Sequence, residues 1–436
     1  MSKLIICGGR ELRGPVRVHG AKNSALPILS AAILSDRETI IHNCPRLTDV
    51  DNALRILEYL GCRVGREGDT VTVDPTLLTG CEIPHEMMQE MRSSVIFLGA
   101  VFARCGRAVL SLPGGCELGP RPIDFHLHAL RSLGAEITEE DDNIICSAGR
   151  IHGGRIELPF PSVGATENAM LAATGSRERV SIVNAAREPE LVDLQNYLRA
   201  LGFRVSGAGT AEIVVDGRLP DASYEHTVIP DRIVAATFMT AAAAAGGDVE
   251  LRDVIPAHCA TVTGALRELG CEITEYEDRI RIRRAGRLRA CGPVTTQPYP
   301  GLPTDAQPVL MAAVLRAEGT SVFEERIFED RFRYVAELQR LGADITLNGH
   351  TAVVRGVDRL RGARVASTDL RGGAALVVAG LTAEGVTEVT ELHHLDRGYD
   401  GLERSLAALG ADVKRDEGGR TWADTEEKDE ADCRQS

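Results

Sequence analysis

Six Leu-Gly pairs recur along the chain, and each stands at the end of an amphipathic helical pattern. They are Leu60-Gly61, Leu133-Gly134, Leu201-Gly202, Leu269-Gly270, Leu341-Gly342 and Leu409-Gly410, at intervals of 68 to 73 residues. Glycine readily ends a helix in the left-handed conformation, so each pair predicts a helix C-terminus. After each of the first five pairs, two short runs separated by a charged or Gly turn predict a β-hairpin. The sixth run, residues 412–414, degrades into the C-terminal segment.

A second and more apolar helix is predicted upstream of each pair. The six segments are residues 24–34, 93–102, 166–173, 233–245, 305–317 and 373–381. A helix that is apolar on all sides is buried, whereas an amphipathic one covers it. Each unit therefore reads as two helices with three or four strands. Six units group most simply as three plus three, in two lobes of about 200 residues each.

Composition excludes several classes of protein. The formal net charge of −14 argues against general binding to nucleic acid and to anionic membranes. The eleven cysteines contain no CxxC pair and no zinc-like spacing, which favours free thiols in a reducing cytosol. The apolar run at the N-terminus is too short for a signal peptide. The Ala-rich runs are too short to span a bilayer. Residues 420–436 lack apolar periodicity and carry excess acid, which predicts a disordered tail.

Residues 111–124 form the most unusual stretch, SLPGGCELGPRPID. Three Gly and three Pro in fourteen residues predict a loop. Cys116 lies within it beside two glycines, and a fixed cation, Arg121, follows. Flanking glycines give a thiol room to approach a ligand. The alternative is a surface turn with an incidental cysteine, since a free Cys is usually a small buried apolar residue. The loop is too polar to bury Cys116 well, which favours a chemical role.

These features resemble a known family, the UDP-N-acetylglucosamine 1-carboxyvinyltransferases, which are enolpyruvyl transferases of peptidoglycan synthesis. The resemblance extends from Leu4 to about residue 419. The matching motifs are GAKNSALP (20–27), PGGCELGPRPID (113–124), SVGAT (162–166), NAAREPE (184–190), PTD (303–305), DLR (369–371) and DRGY (396–399).

The resemblance implies a two-lobed inside-out α/β barrel. It is built from six βαβαββ-like repeats, with pseudo-threefold lobes whose helices lie inside and whose sheets lie outside. The implied N-terminal lobe is 22–229 and carries the Cys116 loop. The C-terminal lobe is 1–21 together with 230–419, and the acidic tail is 420–436.

The resemblance also implies a reaction. The 3′-hydroxyl of UDP-N-acetylglucosamine adds to C2 of phosphoenolpyruvate, and phosphate is then eliminated. C3 of the enol ether must gain a proton, the sugar hydroxyl must lose one, and the anionic groups must be held by cations and N–H groups. No metal or cofactor is required. This would be the first committed step of cell wall synthesis, in the cytoplasm, by an enzyme that fosfomycin alkylates.

Residue roles follow from the resemblance, position by position. Cys116 would donate the proton to C3 and form a covalent adduct with phosphoenolpyruvate. Asp305 would take the proton of the sugar hydroxyl, although at a predicted helix start its alternative role is an N-cap. Lys22, Arg121 and Arg397 would hold phosphoenolpyruvate, with ordinary surface charges as the alternative. The remaining implied substrate contacts are Asn23, Arg92, Pro122, Ile123, Asp124, Phe125, Ser162, Val163, Gly164, Ile327, Arg331 and Arg371.

The chain departs from the family pattern at one position. Some members carry a Lys just before the SVG segment, whereas here Phe160-Pro161 occupies that place. This puts a side-chain ion pair to the diphosphate in doubt, but not the backbone contacts. His126 and His128 flank the helix after the Cys116 loop. Solvated surface histidines are the simpler explanation for both, although His126 matches a family position.

Two alternatives remain open at this point. The sister enzyme transfers the same group to shikimate 3-phosphate on the same fold, but it lacks the Cys116 loop and differs at the Lys22-Asn23 motif. A catalytically inactive relative would bind the nucleotide and regulate the pathway. The joint presence of Lys22, Cys116, Arg121, Asp305 and Arg397 argues against inactivity.

Overall fold

The computed structural model describes residues 2–90, 94–111, 123–140, 143–218 and 222–418. The chain divides into two compact units. The first unit contains the residues up to His19 and those from Pro230 onward, and the second extends from Gly20 to Ile229. Within the ranges described, no helix has both the length and the apolar character needed to cross a membrane. The predicted disordered tail and the Cys116 loop lie outside the described residues.

The second unit follows the first two strands of the chain, β1 (Lys3–Cys7) and β2 (Leu12–Arg17). Its helices are α1 (Lys22–Ala31), α2 (Thr48–Tyr59), α3 (His85–Glu90), α4 (Phe97–Cys105), α5 (Asp124–Ser132), α6 (Val163–Ala173) and α7 (Pro189–Ala200). Its strands are β3 (Thr39–His42), β4 (Arg63–Glu67), β5 (Thr70–Asp74), β6 (Glu82–Ile83), β7 (Arg107–Ser111), β8 (Glu136–Glu140), β9 (Asn143–Ser147), β10 (Gly154–Glu157), β11 (Val180–Val183), β12 (Phe203–Ser206), β13 (Glu212–Arg218) and β14 (Glu225–Thr227). They form three four-stranded sheets in the orders β14-β3-β5-β4, β6-β7-β9-β8 and β10-β11-β13-β12.

The first unit repeats this plan. Its helices are α8 (Arg232–Ala245), α9 (Ala260–Glu268), α10 (Gln307–Val314), α11 (Val335–Arg340), α12 (Leu370–Gly380), α13 (His393–Asp396) and α14 (Leu402–Ala408). Its further strands are β15 (Gly247–Arg252), β16 (Glu272–Glu275), β17 (Arg279–Arg284), β18 (Val294–Thr295), β19 (Thr320–Glu324), β20 (Asp344–Asn348), β21 (Thr351–Arg355), β22 (Leu360–Arg361), β23 (Arg364–Ala366), β24 (Ala383–Glu384), β25 (Val386–Thr390) and β26 (Asp412–Asp416). The four-stranded sheets run β16-β17-β15-β2, β18-β19-β21-β20 and β23-β25-β1-β26, and β22 pairs with β24.

Three apolar helices pack together at the centre of each unit: α1, α4 and α6 in the second, and α8, α10 and α12 in the first. Helix α8 buries every residue from Ile233 to Ala243, whereas the amphipathic α9 buries only Val262, Thr263 and Leu266. The sheets alternate between buried and solvent-facing residues, as in β17, so they form the outer layer. The expected class is confirmed: a two-lobed α/β fold with the helices of each lobe inside and its sheets outside.

The predicted Leu-Gly helix ends are confirmed. All six glycines have φ between 85° and 103°, the left-handed region that suits residues without a Cβ. The N–H of Gly270 donates to the carbonyl of Arg267, and the N–H of Cys271 donates to that of Leu266. This 6→1 bond is the Schellman arrangement, which satisfies carbonyls that the helix end would leave unpaired.

The sixth repeat is more complete than its sequence suggests. Strand β26 pairs antiparallel with β1, from Lys3 opposite Asp416 to Cys7 opposite Asp412. The N-terminal strand β1 therefore supplies an antiparallel partner for β26. The sixth run is therefore a complete strand, and its partner lies at the other end of the sequence, whereas the hairpin signal considers only neighbouring segments.

Candidate active site

The predicted site residues are distributed over both units. Cys116, Arg121, Pro122 and Arg92 lie outside the described residues, so their roles stay predictions. Lys22, Asn23, Ile123, Asp124, Phe125, Ser162, Val163 and Gly164 belong to the second unit, and Asp305, Ile327, Arg331, Arg371 and Arg397 belong to the first.

Lys22 is the first residue of α1 and forms an ion pair with Asp49 in the first turn of α2. The distance from Lys22 Nζ to Asp49 Oδ2 is 2.7 Å. The two side chains are 10% and 0% exposed. A buried carboxylate holds a long ammonium side chain in one position. Removing either partner of such a pair leaves a buried charge that is poorly compensated. Asn23 follows, half-buried at the same helix start. Lys22 is therefore a positioned cation and not an ordinary surface charge.

Two segments predicted to bind the nucleotide meet within the second unit. Ser162 is the N-cap of α6, and its Oγ accepts from the N–H of Ala165 at 3.4 Å. Val163 and Gly164 form the first turn. A Cβ added to Gly164 would lie 3.0 Å from Cε1 of His126, on the helix that Ile123, Asp124 and Phe125 begin. The lack of a side chain at position 164 lets the two helix starts approach each other.

His126 has a defined tautomer because of Asn168. The N–H of Gly99 donates to Oδ1 of Asn168 at 2.6 Å, so the nitrogen of that amide faces the other way. The amide nitrogen of Asn168 lies 2.7 Å from Nδ1 of His126, so Nδ1 must accept a hydrogen bond from the amide. The ring proton is therefore on Nε2. His126 is buried, so the surface alternative was wrong for it, whereas His128 is exposed and contacts the carbonyl of Glu157.

Asp305 lies between two arginines. Its Oδ1 is 2.5 Å from Nη2 of Arg331, and its Oδ2 is 3.0 Å from Nη2 and 3.1 Å from Nε of Arg371. The arginine side chains are 1% and 3% exposed, whereas that of Asp305 is 26% exposed. The carboxylate therefore remains accessible to a substrate in front of two buried cations.

The two cations keep Asp305 ionised. Burial alone would raise its pKa, but the charges of Arg371 and Arg331 and their hydrogen bonds outweigh burial, so the pKa lies well below its usual range. The N-cap alternative for Asp305 was wrong, because α10 begins at Gln307 with Ala306 in the cap position and no side-chain cap bond. The carboxylate of Asp305 therefore bonds to the side chains of Arg331 and Arg371 and does not cap α10.

Further residues fix the arginines, and sequence reasoning assigned them no role. Asp369 caps α12 by accepting from the N–H groups of residues 371 and 372, and its Oδ1 lies 3.8 Å from Nη1 of Arg331. The hydroxyl of Tyr399 accepts from Nη1 of Arg371 at 3.4 Å and lies 2.8 Å from that of Thr237. Asp369 and Tyr399 stand in the quoted DLR and DRGY motifs, which was the available signal.

The remaining predicted positions are less informative. Arg397 is half-buried at the C-terminal end of α13, and Ile327 donates its N–H to Oε1 of Glu325 at 2.8 Å. Phe160 is an apolar ring at the position where some members carry a Lys, and it exposes 43% of its surface.

No group of three His, Cys, Asp or Glu side chains in the described ranges could hold a metal ion.

Residues 6–406 match the family model described as EPSP synthase (3-phosphoshikimate 1-carboxyvinyltransferase). The chain is 49% identical over 415 residues to UDP-N-acetylglucosamine 1-carboxyvinyltransferase 2 of Caldanaerobacter subterraneus subsp. tengcongensis, with 95% of this chain and 100% of that protein covered. It is 46% identical over 419 residues to the UDP-N-acetylglucosamine 1-carboxyvinyltransferase of Myxococcus xanthus, at 95% and 100% coverage.

Solved structures of similar proteins agree in fold. The enolpyruvyl transferase NikO from Streptomyces tendae superposes with a TM-score of 0.85 at 26% identity, covering 95% of this chain and 98% of that one. An EPSP synthase from Acinetobacter baumannii gives a TM-score of 0.74 at 19% identity, covering 96% and 100%. The second likeness concerns the fold alone.

Proposed function

Because this chain belongs to the EPSP synthase family of enolpyruvyl transferases, among the UDP-N-acetylglucosamine 1-carboxyvinyltransferases, we propose that it transfers the enolpyruvyl group of phosphoenolpyruvate to the 3′-hydroxyl of UDP-N-acetylglucosamine. The observation that carries the choice of acceptor is the identity of 45–49% over 95% of the chain to proteins of that name. The product would be the first committed precursor of peptidoglycan, and phosphate would be released. Eight of the nine described cysteines carry free thiols, whereas Cys7 is disulfide-bonded, so the expectation of free thiols was wrong for Cys7 and the cytoplasmic setting rests on the proposed reaction.

The proposed addition has three participants. The thiol of Cys116 gives a proton to C3 of phosphoenolpyruvate, which leaves C2 electrophilic. The sugar 3′-oxygen bonds to C2 while its proton passes to Asp305. The two arginines keep this carboxylate deprotonated when the substrate arrives, and because they lower its pKa they also make it a weaker base. The reference pKa of a thiol, about 8.5, leaves Cys116 protonated at neutral pH and able to donate.

Elimination completes the reaction. The bond from C2 to the phosphate oxygen breaks, C3 returns a proton to the Cys116 thiolate to restore the double bond, and the proton held by Asp305 leaves with the phosphate. The cations proposed to hold the anionic groups are Lys22, Arg121 and Arg397, with further contacts from Arg92, Arg331 and Arg371. The buried ion pair of Lys22 with Asp49 supports this role, since a pre-positioned cation loses little freedom on binding phosphate. Asn23, Ile327 and the segments 121–125 and 162–164 are proposed to contact the sugar nucleotide.

Phosphate release with different acceptors tests the proposal. The enzyme is incubated with phosphoenolpyruvate and either UDP-N-acetylglucosamine or shikimate 3-phosphate. Release with the first acceptor only is expected. Release with shikimate 3-phosphate would instead assign the activity that the family model's description names. Release with neither, by a folded protein that binds the nucleotide, would indicate a catalytically inactive relative.

A further inference from the structure

Glu325 is a buried carboxylate to which nothing above gives a role. It directly follows β19 and is 1% exposed. Its Oε1 accepts from the hydroxyl of Thr296 at 2.9 Å and from the N–H groups of Ile327 at 2.8 Å and Phe328 at 3.1 Å. Its Oε2 accepts from the hydroxyl of Thr304 at 2.9 Å. All four of these donors are neutral. A carboxylate buried among neutral donors is costly unless its charge is needed.

Thr304 connects this carboxylate to the Asp305 cluster. Its Oγ1 donates to Glu325 and accepts from Nε of Arg331 at 3.0 Å. A hydroxyl has one hydrogen, so donation to Glu325 turns the oxygen lone pairs towards the guanidinium. Arg331 then reaches Asp305 through Nη2 at 2.5 Å. The result is a continuous chain of hydrogen bonds from Glu325 through Thr304 and Arg331 to Asp305, all within the first unit.

The direction of donation in this series of hydrogen bonds requires that Oε2 of Glu325 accept from Thr304. If Gln replaced Glu325, its amide oxygen could still accept from Thr296, Ile327 and Phe328, while its NH₂ group would point at Thr304. The Thr304 oxygen would then face two donors, the amide and Arg331, and its own hydrogen would have to turn elsewhere. The same volume would fill the site, but the Thr304 hydrogen would lose its acceptor and would no longer fix which lone pairs face Arg331.

We propose that Glu325 is a positioning residue for enolpyruvyl transfer, which orients Thr304 and through it holds Arg331 and Asp305 in the geometry that receives the sugar hydroxyl. This inference rests on the proposed function, because it presumes that Asp305 accepts that proton. The same carboxylate also holds the backbone of Ile327, a proposed sugar contact, so one buried group fixes two parts of the acceptor site.

A double-mutant cycle tests this role. In Glu325→Gln and in Thr304→Val, kcat is expected to fall about 10- to 100-fold, because small misplacements of catalytic groups cost that much. KM for phosphoenolpyruvate should stay within about twofold, because the hydrogen bonds from Glu325 through Thr304 to Arg331 and Asp305 include none of the three cations proposed to hold that substrate, Lys22, Arg121 and Arg397. The double variant should lose no more than the worse single variant, since both act through one chain of contacts. Glu324→Gln, at the half-exposed neighbouring position, is the matched control and should retain wild-type kcat.

Several outcomes would overturn the inference. They are wild-type kcat in a folded Glu325→Gln variant, additive losses in the double variant, or a rise in KM for phosphoenolpyruvate equal to the loss of kcat. If Glu325→Gln does not fold, Thr304→Val decides alone, and wild-type kcat in that variant contradicts the proposal. Failure of the proposed function is distinguishable, because the unmodified enzyme would then release no phosphate with UDP-N-acetylglucosamine.

Discussion

The 2.5 Å hydrogen bond between Nη2 of Arg331 and Oδ1 of Asp305 joins a fully buried cation to an accessible carboxylate. Charge-assisted bonds of this length are about twice as strong as neutral ones. The Arg331 side chain is 1% exposed and that of Asp305 is 26% exposed, so a ligand can reach the carboxylate but not the cation behind it. This asymmetry suits a base that must stay ionised and yet be reached.

Replacing Asp305 by Asn removes the proton acceptor but keeps the shape of the side chain. We expect kcat to fall about 10²- to 10⁴-fold, the usual contribution of general acid–base catalysis. Fosfomycin should still alkylate Cys116 in this variant. The exposed Asp330→Asn is the control and should keep full activity. Steady-state kinetics check both, and retention of more than a tenth of wild-type kcat by Asp305→Asn would argue against its role as base.

Removing Arg371 should change the pH profile in a defined direction. The arginines lower the pKa of Asp305, so the wild-type enzyme keeps this group deprotonated throughout the mildly acidic range. In Arg371→Gln only Arg331 opposes the effect of burial, so the pKa of Asp305 rises. The acid limb of kcat/KM should therefore move to higher pH. The exposed Arg326→Gln should leave the profile unchanged. An acid limb that stays in place in Arg371→Gln would contradict the assignment.

The same shift affects stability. Because the folded pKa of Asp305 is below its unfolded value of about 3.9, its ion pairs stabilise the fold fully above that pH. That contribution is lost only as the pH falls through the lower folded value. The stability of the wild-type protein relative to Asp305→Asn should therefore be constant above about pH 4 and should decrease only below it, which acid titration of the two proteins would measure.

Two aspartates on α2 offer a matched pair of variants. Asp49→Asn removes the carboxylate that pairs with the buried Lys22 ammonium, so we expect a loss of about 3–5 kcal/mol in the free energy of unfolding. KM for phosphoenolpyruvate should also rise. Asp51→Asn breaks an exposed pair with Arg66 and should cost less than about 1 kcal/mol. Denaturant titration compares them, and equal losses would show that burial of the Lys22 pair is irrelevant.

Cys116 is expected to fail differently from Asp305. Cys116→Ser should be nearly inactive, because an alcohol is a far poorer acid than a thiol. Cys116→Asp keeps a titratable proton, so it should retain activity with an optimum shifted to acid pH and should resist fosfomycin. The pH–rate profile and epoxide sensitivity check this. An aspartate variant that is inactive at every pH, or that the epoxide still inactivates, would refute the proton-donor assignment.

Much of the fold was predictable because its signals are local. Each Leu-Gly pair carries its own helix end, and each apolar helix carries its own burial pattern. The pairing of β1 with β26 was not predictable from such patterns, since residues Lys3 and Asp416 lie at opposite ends of the chain. No turn signal connects them, and only the closure of the sixth sheet brings them together.

The candidate site divides in the same way. Lys22, Asp305 and Arg371 stand in motifs and could be proposed from sequence. Asn168 and Glu325 could not, because their importance arises from contacts with residues far away in sequence, 69 positions between Asn168 and Gly99. A polar residue within an apolar helix marks Asn168 as unusual, but the sequence does not show that it contacts Gly99 and His126.

The most direct test of the central claim is a competition between acceptors. Phosphoenolpyruvate, UDP-N-acetylglucosamine and shikimate 3-phosphate are supplied together, the two acceptors at equal concentration, and the products are identified by mass spectrometry. The account predicts that UDP-N-acetylglucosamine gains one enolpyruvyl group for each phosphate released, while shikimate 3-phosphate is unchanged. An enolpyruvyl group found on shikimate 3-phosphate, with the sugar nucleotide unaltered, would contradict it.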